Sequence, residues 1–393
     1  MDFQELTKRF ADHYKTCSEE RLHIFFAPGR VNLIGEHTDY NGGYVLPCSL
    51  DFGTYMVVCK SEGRRVRFAS ANENATGEVD LSEVIKGIDG SWINYPLGVI
   101  NEFINLGAEI TGMNIFYYGD IPPGAGLSSS ASIEMVTAYA LNELFGAGLS
   151  MPDMIRLSQK AENEFVGNRC GIMDQFSIGM GKKDHALFLD CDTLDYRMVP
   201  IALSDYSLVI INTNKKRELT ASEYNKRREE CETALRYINQ THNYKNLSRL
   251  DIAKLDSYLS LIPDPVLKKR VKHVVSENER VIKTVEAFRI KDMSRIASLM
   301  HESHESLRND YEVSSPELDL LVGLAGRAES SSGSRMTGGG FGGCTVNLVA
   351  KNRIEEFKAK IGGKYYEKTG IIPDFYLPAI GSAIKKISSP LPN

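Results

Sequence analysis

At 393 residues the chain is longer than one hydrophobic core usually serves, so two domains with a ligand cleft between them are expected. A composition of 42% hydrophobic and 25% charged residues excludes fibrous and disordered classes. The net charge of −5 argues against nucleic acid as a partner: the basic runs Lys215-Lys216-Arg217 and Lys226-Arg227-Arg228 are short, and Glu229-Glu230 follows the second, as on a solvated helix face.

From the N-terminus, Met1 to Phe10 has the pattern of an amphipathic helix. No stretch reaches the length of a signal-peptide core or a spanning helix, so a cytoplasmic location without membrane contact is expected. The seven cysteines (Cys17, Cys48, Cys59, Cys170, Cys191, Cys231, Cys344) are scattered, odd in number and free of CxxC pairs, which argues against a disulfide framework and a zinc knuckle. The most informative run is Pro28-Gly29-Arg30-Val31-Asn32-Leu33-Ile34-Gly35-Glu36-His37-Thr38-Asp39-Tyr40-Asn41-Gly42-Gly43. Strand pieces at Phe25-Phe26-Ala27 and at Val31, Leu33 and Ile34 would hold Arg30, Glu36, His37 and Asp39 near one spot, while the glycines keep backbone bulk away. Any four of these residues alone would read as a polar turn; the whole run reads as a preorganised polar site.

Short β-rich runs follow at Tyr55 to Cys59, Val66 to Ala69 and Asn114 to Tyr118, interleaved with periodic helices, as in an α/β or α+β layer structure. Pro122-Pro123-Gly124-Ala125-Gly126-Leu127-Ser128-Ser129-Ser130-Ala131-Ser132 sets a flexible loop before a helix that carries Ile133, Val136, Ala140, Leu141 and Leu144 and ends at Gly146. That helix start is either a common serine cap or a phosphate cradle with a magnesium-ligating hydroxyl. Ser150 and Asp153 form a capping box for the next helix, whose face carries Ile155, Ser158, Glu162 and Phe165. In that stripe Glu162 is either an edge residue reaching solvent or one that requires a cation.

After Leu187-Phe188-Leu189 the character shifts to a strand at Leu208 to Ile211, then long charged helices from Ser222 to Ala328. A glycine run, Gly338 to Gly343, a strand at Cys344 to Ala350, a helix at Ile354 to Ile361 and a strand at Asp374 to Leu377 complete the chain. The boundary between domains is placed at 195/196. Several motif look-alikes lack their context. Gly181-Lys182-Lys183 has no following Ser/Thr for a Walker A loop, and Gly338-x-Gly340-x-x-Gly343 precedes a strand, not a helix. Asp51-Phe52-Gly53 stands without an HRD loop, and the histidines of His301-Glu302-Ser303-His304 are three apart instead of four. Glycine loops with a Ser130 and Glu162 pair suited to magnesium fit phosphoryl transfer, which works by positioning and charge neutralisation.

Three segments, Gly29 to Asn41, Pro123 to Ser132 and Arg335 to Gly343, resemble motifs of the GHMP kinases, named for galactokinase, homoserine, mevalonate and phosphomevalonate kinases; the first is similar to the signature of the galactokinase family within them. Cys170 to Gln175 and Ser222 to Asn225 also resemble that family. The resemblance implies a two-domain α+β fold, with a ribosomal-protein-like N-terminal α/β layer domain (1–195) and a ferredoxin-like C-terminal α+β domain (196–393) around the site. It implies transfer of the γ-phosphate of ATP, with Mg2+, to the anomeric hydroxyl of galactose by a monomer. Asp174 would be the catalytic base and Arg30 would stabilise the transferred phosphoryl group. Glu36, His37, Thr38, Asp39, Gly171 and Tyr224 would hold the sugar, Asp39 facing the hydroxyls that distinguish galactose from glucose. Gly124, Ala125, Gly126, Leu127, Ser128, Ser129 and Ser130 would wrap the ATP phosphates, with magnesium on Ser130 and Glu162. Ser70, Trp92 and Tyr95 would lie beside the nucleotide, or else serve core packing or a surface turn. Alternatives are a kinase for N-acetylgalactosamine or arabinose, and a non-catalytic galactose and ATP sensor, whose sign would be damage to the serine-rich loop; here that loop is intact.

Overall fold

The computed structural model describes residues 3–15, 17, 21–74, 76–83, 87–122, 124–215 and 220–387; Pro123 of the serine-rich motif and Lys216-Arg217 of the basic run lie outside the described residues. The chain runs α1 (Phe3–His13), β1 (His23–Asn32), β2 (Tyr44–Val45), β3 (Pro47–Lys60), β4 (Arg65–Ser70), β5 (Gly77–Asp80), α2 (Asn94–Asn105), β6 (Met113–Gly119), α3 (Ser129–Phe145), α4 (Met151–Lys160), α5 (Met173–Met180), β7 (His185–Asp190) and β8 (Tyr196–Pro200). It continues through β9 (Tyr206–Asn212), α6 (Thr220–Ile238), α7 (Leu255–Ser260), α8 (Pro265–Arg289), α9 (Met293–Ser306), α10 (Pro316–Gly326), β10 (Ser331–Thr337), β11 (Cys344–Ala350), α11 (Ile354–Thr369), β12 (Asp374–Tyr376) and β13 (Lys385–Ile387).

A six-stranded sheet has the order β13-β1-β3-β6-β4-β5, in which only β4 and β6 are parallel. Strand β1, second from one edge, is buried almost throughout because both faces are covered. Phe25 and Ala27 pack into a core shared with α2, α3 and α5, whereas Ile24 packs with Leu6 and Phe10 of α1. Between Pro28 and Arg30 the register shifts, and the backbone N–H of Arg30 donates to Leu127 O at 3.2 Å. A side chain at Gly29 would press on that same carbonyl. The bulge at Gly29 thus turns Arg30 toward the serine-rich loop, a common use of bulges beside sites. The second sheet, β10-β11-β9-β12, is antiparallel, with α10 and α11 packed on it, and β2-β7-β8 form a third. The 195/196 boundary falls in the turn between β7 and β8, and β13 returns the C-terminal segment to the first sheet.

Several elements differ from expectation. Helix α2 escaped notice because Pro96 and Gly98 interrupt its pattern; Gly98 is needed where Phe165 packs against the helix. Helix α11 runs past Ile361 through two glycines because Gly362 lets Phe375 pack close and Tyr365, fully buried, donates to Thr213 O at 2.9 Å. Helix α4 gives way at Ala161–Val166 to a wider π-helical turn carrying Glu162. Such turns often mark functional positions. The cysteine spacing argues against a disulfide framework, and the structure adds one isolated bond: Cys17, after α1, and Cys59, near the end of β3, are bonded, while the other five cysteines form no disulfide. Spacing could not show it, since packing of α1 on the sheet brings together positions 42 residues apart. Among the described residues no helix is long and apolar enough to cross a membrane.

Candidate active site

The loop after β1 places its charged side chains by two left-handed residues, Gly35 (φ 100°) and His37 (φ 62°), followed by a short turn at Asp39–Asn41. Glu36 is almost fully buried, so its carboxylate must be paired. Oε2 accepts from Asn32 Nδ2 at 2.6 Å, and Oε1 accepts from Gly338 N at 2.8 Å and Thr337 Oγ1 at 3.1 Å, with Arg335 Nη2 at 3.3 Å. The third glycine motif therefore clasps the first. His37 Nδ1 lies 2.8 Å from Tyr40 Oη, which meets Tyr311 Oη at 2.8 Å, and the Tyr224 ring lies 5.5 Å from the imidazole. Burial, with His273 and Arg227 nearby, pushes His37 down to about 3, so the ring is neutral at pH 7. Burial and the charge of Asp174 push Asp39 up to about 7. A side chain at Gly171 would occupy the place of the Asp39 carboxylate, which explains the glycine there.

Asp174, in the first turn of α5, is gripped from two sides. Arg30 donates through Nε to Oδ1 at 2.8 Å and through Nη2 to Oδ2 at 2.7 Å, while its Nη1 donates to Gly126 O at 2.7 Å. The Ser128 hydroxyl donates to Oδ2 at 2.5 Å. Ser128 achieves this from a left-handed backbone (φ 62°), a conformation costly for a non-glycine residue and typical of functional positions. The guanidinium is buried, whereas the Asp174 side chain is 25% exposed and reachable.

Beyond Asp174, Gly124 and Gly126 also adopt positive φ, and the N-terminal turn of α3 presents Ser129 and Ser130. First-turn N–H groups lack intrahelical partners and favour an anion. Glu162 faces the same cavity, accepting from Asn168 Nδ2 at 2.7 Å, Gln175 Nε2 at 2.8 Å and Cys170 Sγ at 3.3 Å. Gln175 Nε2 also donates to Glu134 Oε2 at 3.0 Å, and Glu134 Oε1 is buried without a partner. Among the described residues no Lys, Arg or His pairs with either carboxylate. Burial, the neighbouring carboxylates adding to it, pushes both acids upward. Glu162, short of positive charge and lining the same cavity as Ser130, with Glu134 joined to it through Gln175, gives with the Ser130 hydroxyl a donor set that fits magnesium, which takes few protein oxygens.

One cavity is lined by Arg30, Glu36, His37, Asp39, Gly124, Gly126, Ser128, Ser129, Ser130, Glu162, Gly171, Asp174 and Tyr224. It adjoins a second through Gly124, Ser129 and Ser130, where Ser70, Trp92 and Tyr95 lie. Trp92 packs edge-on against Tyr117 with ring centroids 5.7 Å apart. Three expected residues do not face the cavity. Thr38 Oγ1 lies 2.8 Å from both Gly35 O and Tyr44 O, holding the loop's own backbone, and Ala125 and Leu127 are buried beneath the serine-rich loop. Sequence reasoning missed Gly338 and Gly339, which line the cavity, and the Glu36 clasp from Asn32 and Arg335. The glycine run was the available signal. Glu134 and Gln175 offered none beyond their places within recognised segments.

Residues 8–60 match the family model "Galactokinase galactose-binding signature", residues 94–182 the GHMP kinases N terminal domain and residues 284–368 the GHMP kinases C terminal domain. A galactokinase of Clostridium beijerinckii is 48% identical over 96% of this chain and 98% of its own length. The crystal structure of Lactococcus lactis galactokinase complexed with galactose superposes with a TM-score of 0.94 at 41% identity, covering 98% of this chain and 99% of that one. Methanococcus jannaschii mevalonate kinase, at 22% identity and a TM-score of 0.64 over 91% of this chain and 98% of that one, shares the fold.

Proposed function

The chain belongs to the galactokinase family of the GHMP kinases and is an ATP-dependent sugar kinase acting on galactose; from that premise we propose that Asp174 is the base and Arg30 the phosphoryl-stabilising residue. One observation carries this reading: the Arg30–Asp174–Ser128 cluster stands between the loop bearing Glu36, His37 and Asp39 and the loop bearing Ser129 and Ser130.

Glu36, His37, Asp39, Tyr224 and the backbone at Gly171 orient the hexose, and neutral His37 offers a ring nitrogen to a hydroxyl without adding charge. Asp174 accepts the proton of the anomeric hydroxyl as its oxygen bonds to the γ-phosphorus. The bond from that phosphorus to the ADP oxygen breaks, giving galactose 1-phosphate, ADP and a proton held on the carboxyl. Arg30, already buried beside Gly126 and Asp174, offsets charge on the transferring group without moving a hydrogen bond far. Ser130 and Glu162 would hold magnesium, which when bound neutralises phosphate charge. Trp92, Tyr95 and Ser70 flank the adenosine side. An ATP-consuming reaction supports the cytoplasm.

The test is ADP release by purified protein given MgATP and a panel of hexoses. Turnover with galactose in preference to glucose is expected; turnover confined to N-acetylgalactosamine or arabinose, or none at all, would overturn the reading.

A further inference from the structure

Helix α8 carries His273, Glu277, Asn278 and Val281 on one face, and each of them meets the backbone of the 35–44 loop. Glu277 is fully buried; its Oε1 accepts from Gly35 N at 3.0 Å and from Ser303 Oγ of α9 at 2.6 Å, and its Oε2 accepts from Arg280 Nε at 2.7 Å. His273 Nε2 lies 3.1 Å from Glu36 O, a pure acceptor, so this nitrogen carries the hydrogen, and Nδ1 lies 3.0 Å from Ser306 Oγ. Asn278 Oδ1 accepts from Tyr44 N at 2.7 Å, and its amide donates to Ser248 O at 3.1 Å while Ser248 Oγ donates to Gly42 O at 2.6 Å. Side chains at Gly35 or Gly43 would strike Val281 or Asn278, so the loop's glycines are matched to this helix face.

None of these helix residues lines the cavity. The hydrogen bonds of the phosphate loop run instead to Arg30 and Asp174. We propose that α8 is the positioning element for sugar recognition: Glu277, with His273 and Asn278, fixes the backbone from Gly35 to Tyr44 so that Glu36, His37 and Asp39 meet the hexose hydroxyls together. This rests on the sugar-binding role given above to that loop. The physical basis is that Glu277 is buried outside the cavity and does not meet the ligand itself, yet its loss strands a buried N–H at the pivot of the loop.

Steady-state kinetics with galactose and ATP varied separately test it. Glu277→Gln is expected to raise KM for galactose about tenfold and to lower the preference for galactose over glucose, with KM for ATP changed by less than about twofold. Asn278→Ala should shift the same quantities in the same direction by a smaller factor, roughly threefold. An equal rise in both KM values, or no rise in either, overturns the positioning role while galactose turnover by the wild type keeps the functional reading intact. Failure of the wild type itself on galactose refutes that reading instead. If Glu277→Gln does not fold, Ser303→Ala, which leaves the pair with Arg280, replaces it with an expected rise in galactose KM of roughly threefold.

Discussion

The loop from Gly35 to Tyr44 is tied along its length by side chains of α8, by Ser248, and by Thr337 and the Gly338 N–H, whereas the loop from Gly124 to Ser130 is held chiefly at Gly126 O and Leu127 O by Arg30 and at Ser128 by Asp174. The difference matches the ligands. A hexose is neutral and is told from its epimers by single hydroxyls, so its partners gain from being immobile and already paired. A nucleotide phosphate chain carries concentrated charge, for which glycines, free first-turn N–H groups and a cation site suffice. Arg30 and Asp174 line the cavity with residues of both loops, where the proposed mechanism puts the chemistry.

The strongest blow to this division falls on the shared pair. Asp174→Asn should lower kcat by roughly 10²- to 10⁴-fold while calorimetric galactose binding stays within a few-fold, because the amide keeps an acceptor for Arg30. Near-normal turnover in the folded variant would remove Asp174 from the base role. Next, Gly171→Ala forces the Asp39 carboxylate aside and should raise KM for galactose roughly ten- to a hundredfold with little change for ATP; parallel changes in both would mean that the loops are not independent. On the phosphate side, Glu162→Gln should raise the magnesium concentration needed for half-maximal rate by roughly tenfold and leave galactose KM alone. An unaltered magnesium titration would take Glu162 out of the cation site.

The smallest effect is one of pH on the sugar side. Burial holds His273 down to about 4, whereas an unfolded histidine takes up a proton near 6.5, so its contribution to stability is complete above pH 6.5 and is lost as pH falls toward 4. Asp39, pushed up to about 7, works in the opposite sense between pH 4 and 7. The informative quantity is therefore the difference between wild type and His273→Gln. The wild type should lose about 1 kcal/mol more than the variant between pH 7 and 5.5 in denaturant unfolding. Equal losses would show that His273 is not held neutral by the fold. Glu277 acts at lower pH: burial would raise it, but Arg280, His273 and Arg335 outweigh that and hold it down to about 2, so its contribution disappears only as pH falls from about 4.5 toward 2.

Much of the site was legible because its motif residues are neighbours in the chain. Arg30, Glu36, His37 and Asp39 all face the cavity, as do Gly124, Gly126 and Ser128 to Ser130. Thr38 was misjudged because a short hydroxyl inside a tight turn is captured by nearby carbonyls, here Gly35 O and Tyr44 O. Ala125 and Leu127 alternate with Gly124 and Gly126 and are buried in the core. Helix α2 was hidden by Pro96 and Gly98, whose cost to a helix is offset by packing of Phe165. Of the two readings of Glu162, the solvent edge falls, because the residue is buried and Gln175 bridges it to another acid, Glu134; the cation stands as the proposal.

By itself the sequence pointed to phosphoryl transfer, because glycine spacing and serine hydroxyls act through local backbone geometry, and the resemblance of Gly29 to Asn41 to the galactokinase signature added the sugar acceptor. Tertiary structure alone decided which groups hold those residues still. Arg30 reaches Asp174 across 144 positions, Gly35 reaches Glu277 across 242, and Gly338 reaches Glu36 across 302. Buried charges must find partners wherever the fold supplies them, and no local pattern records which distant donor that will be.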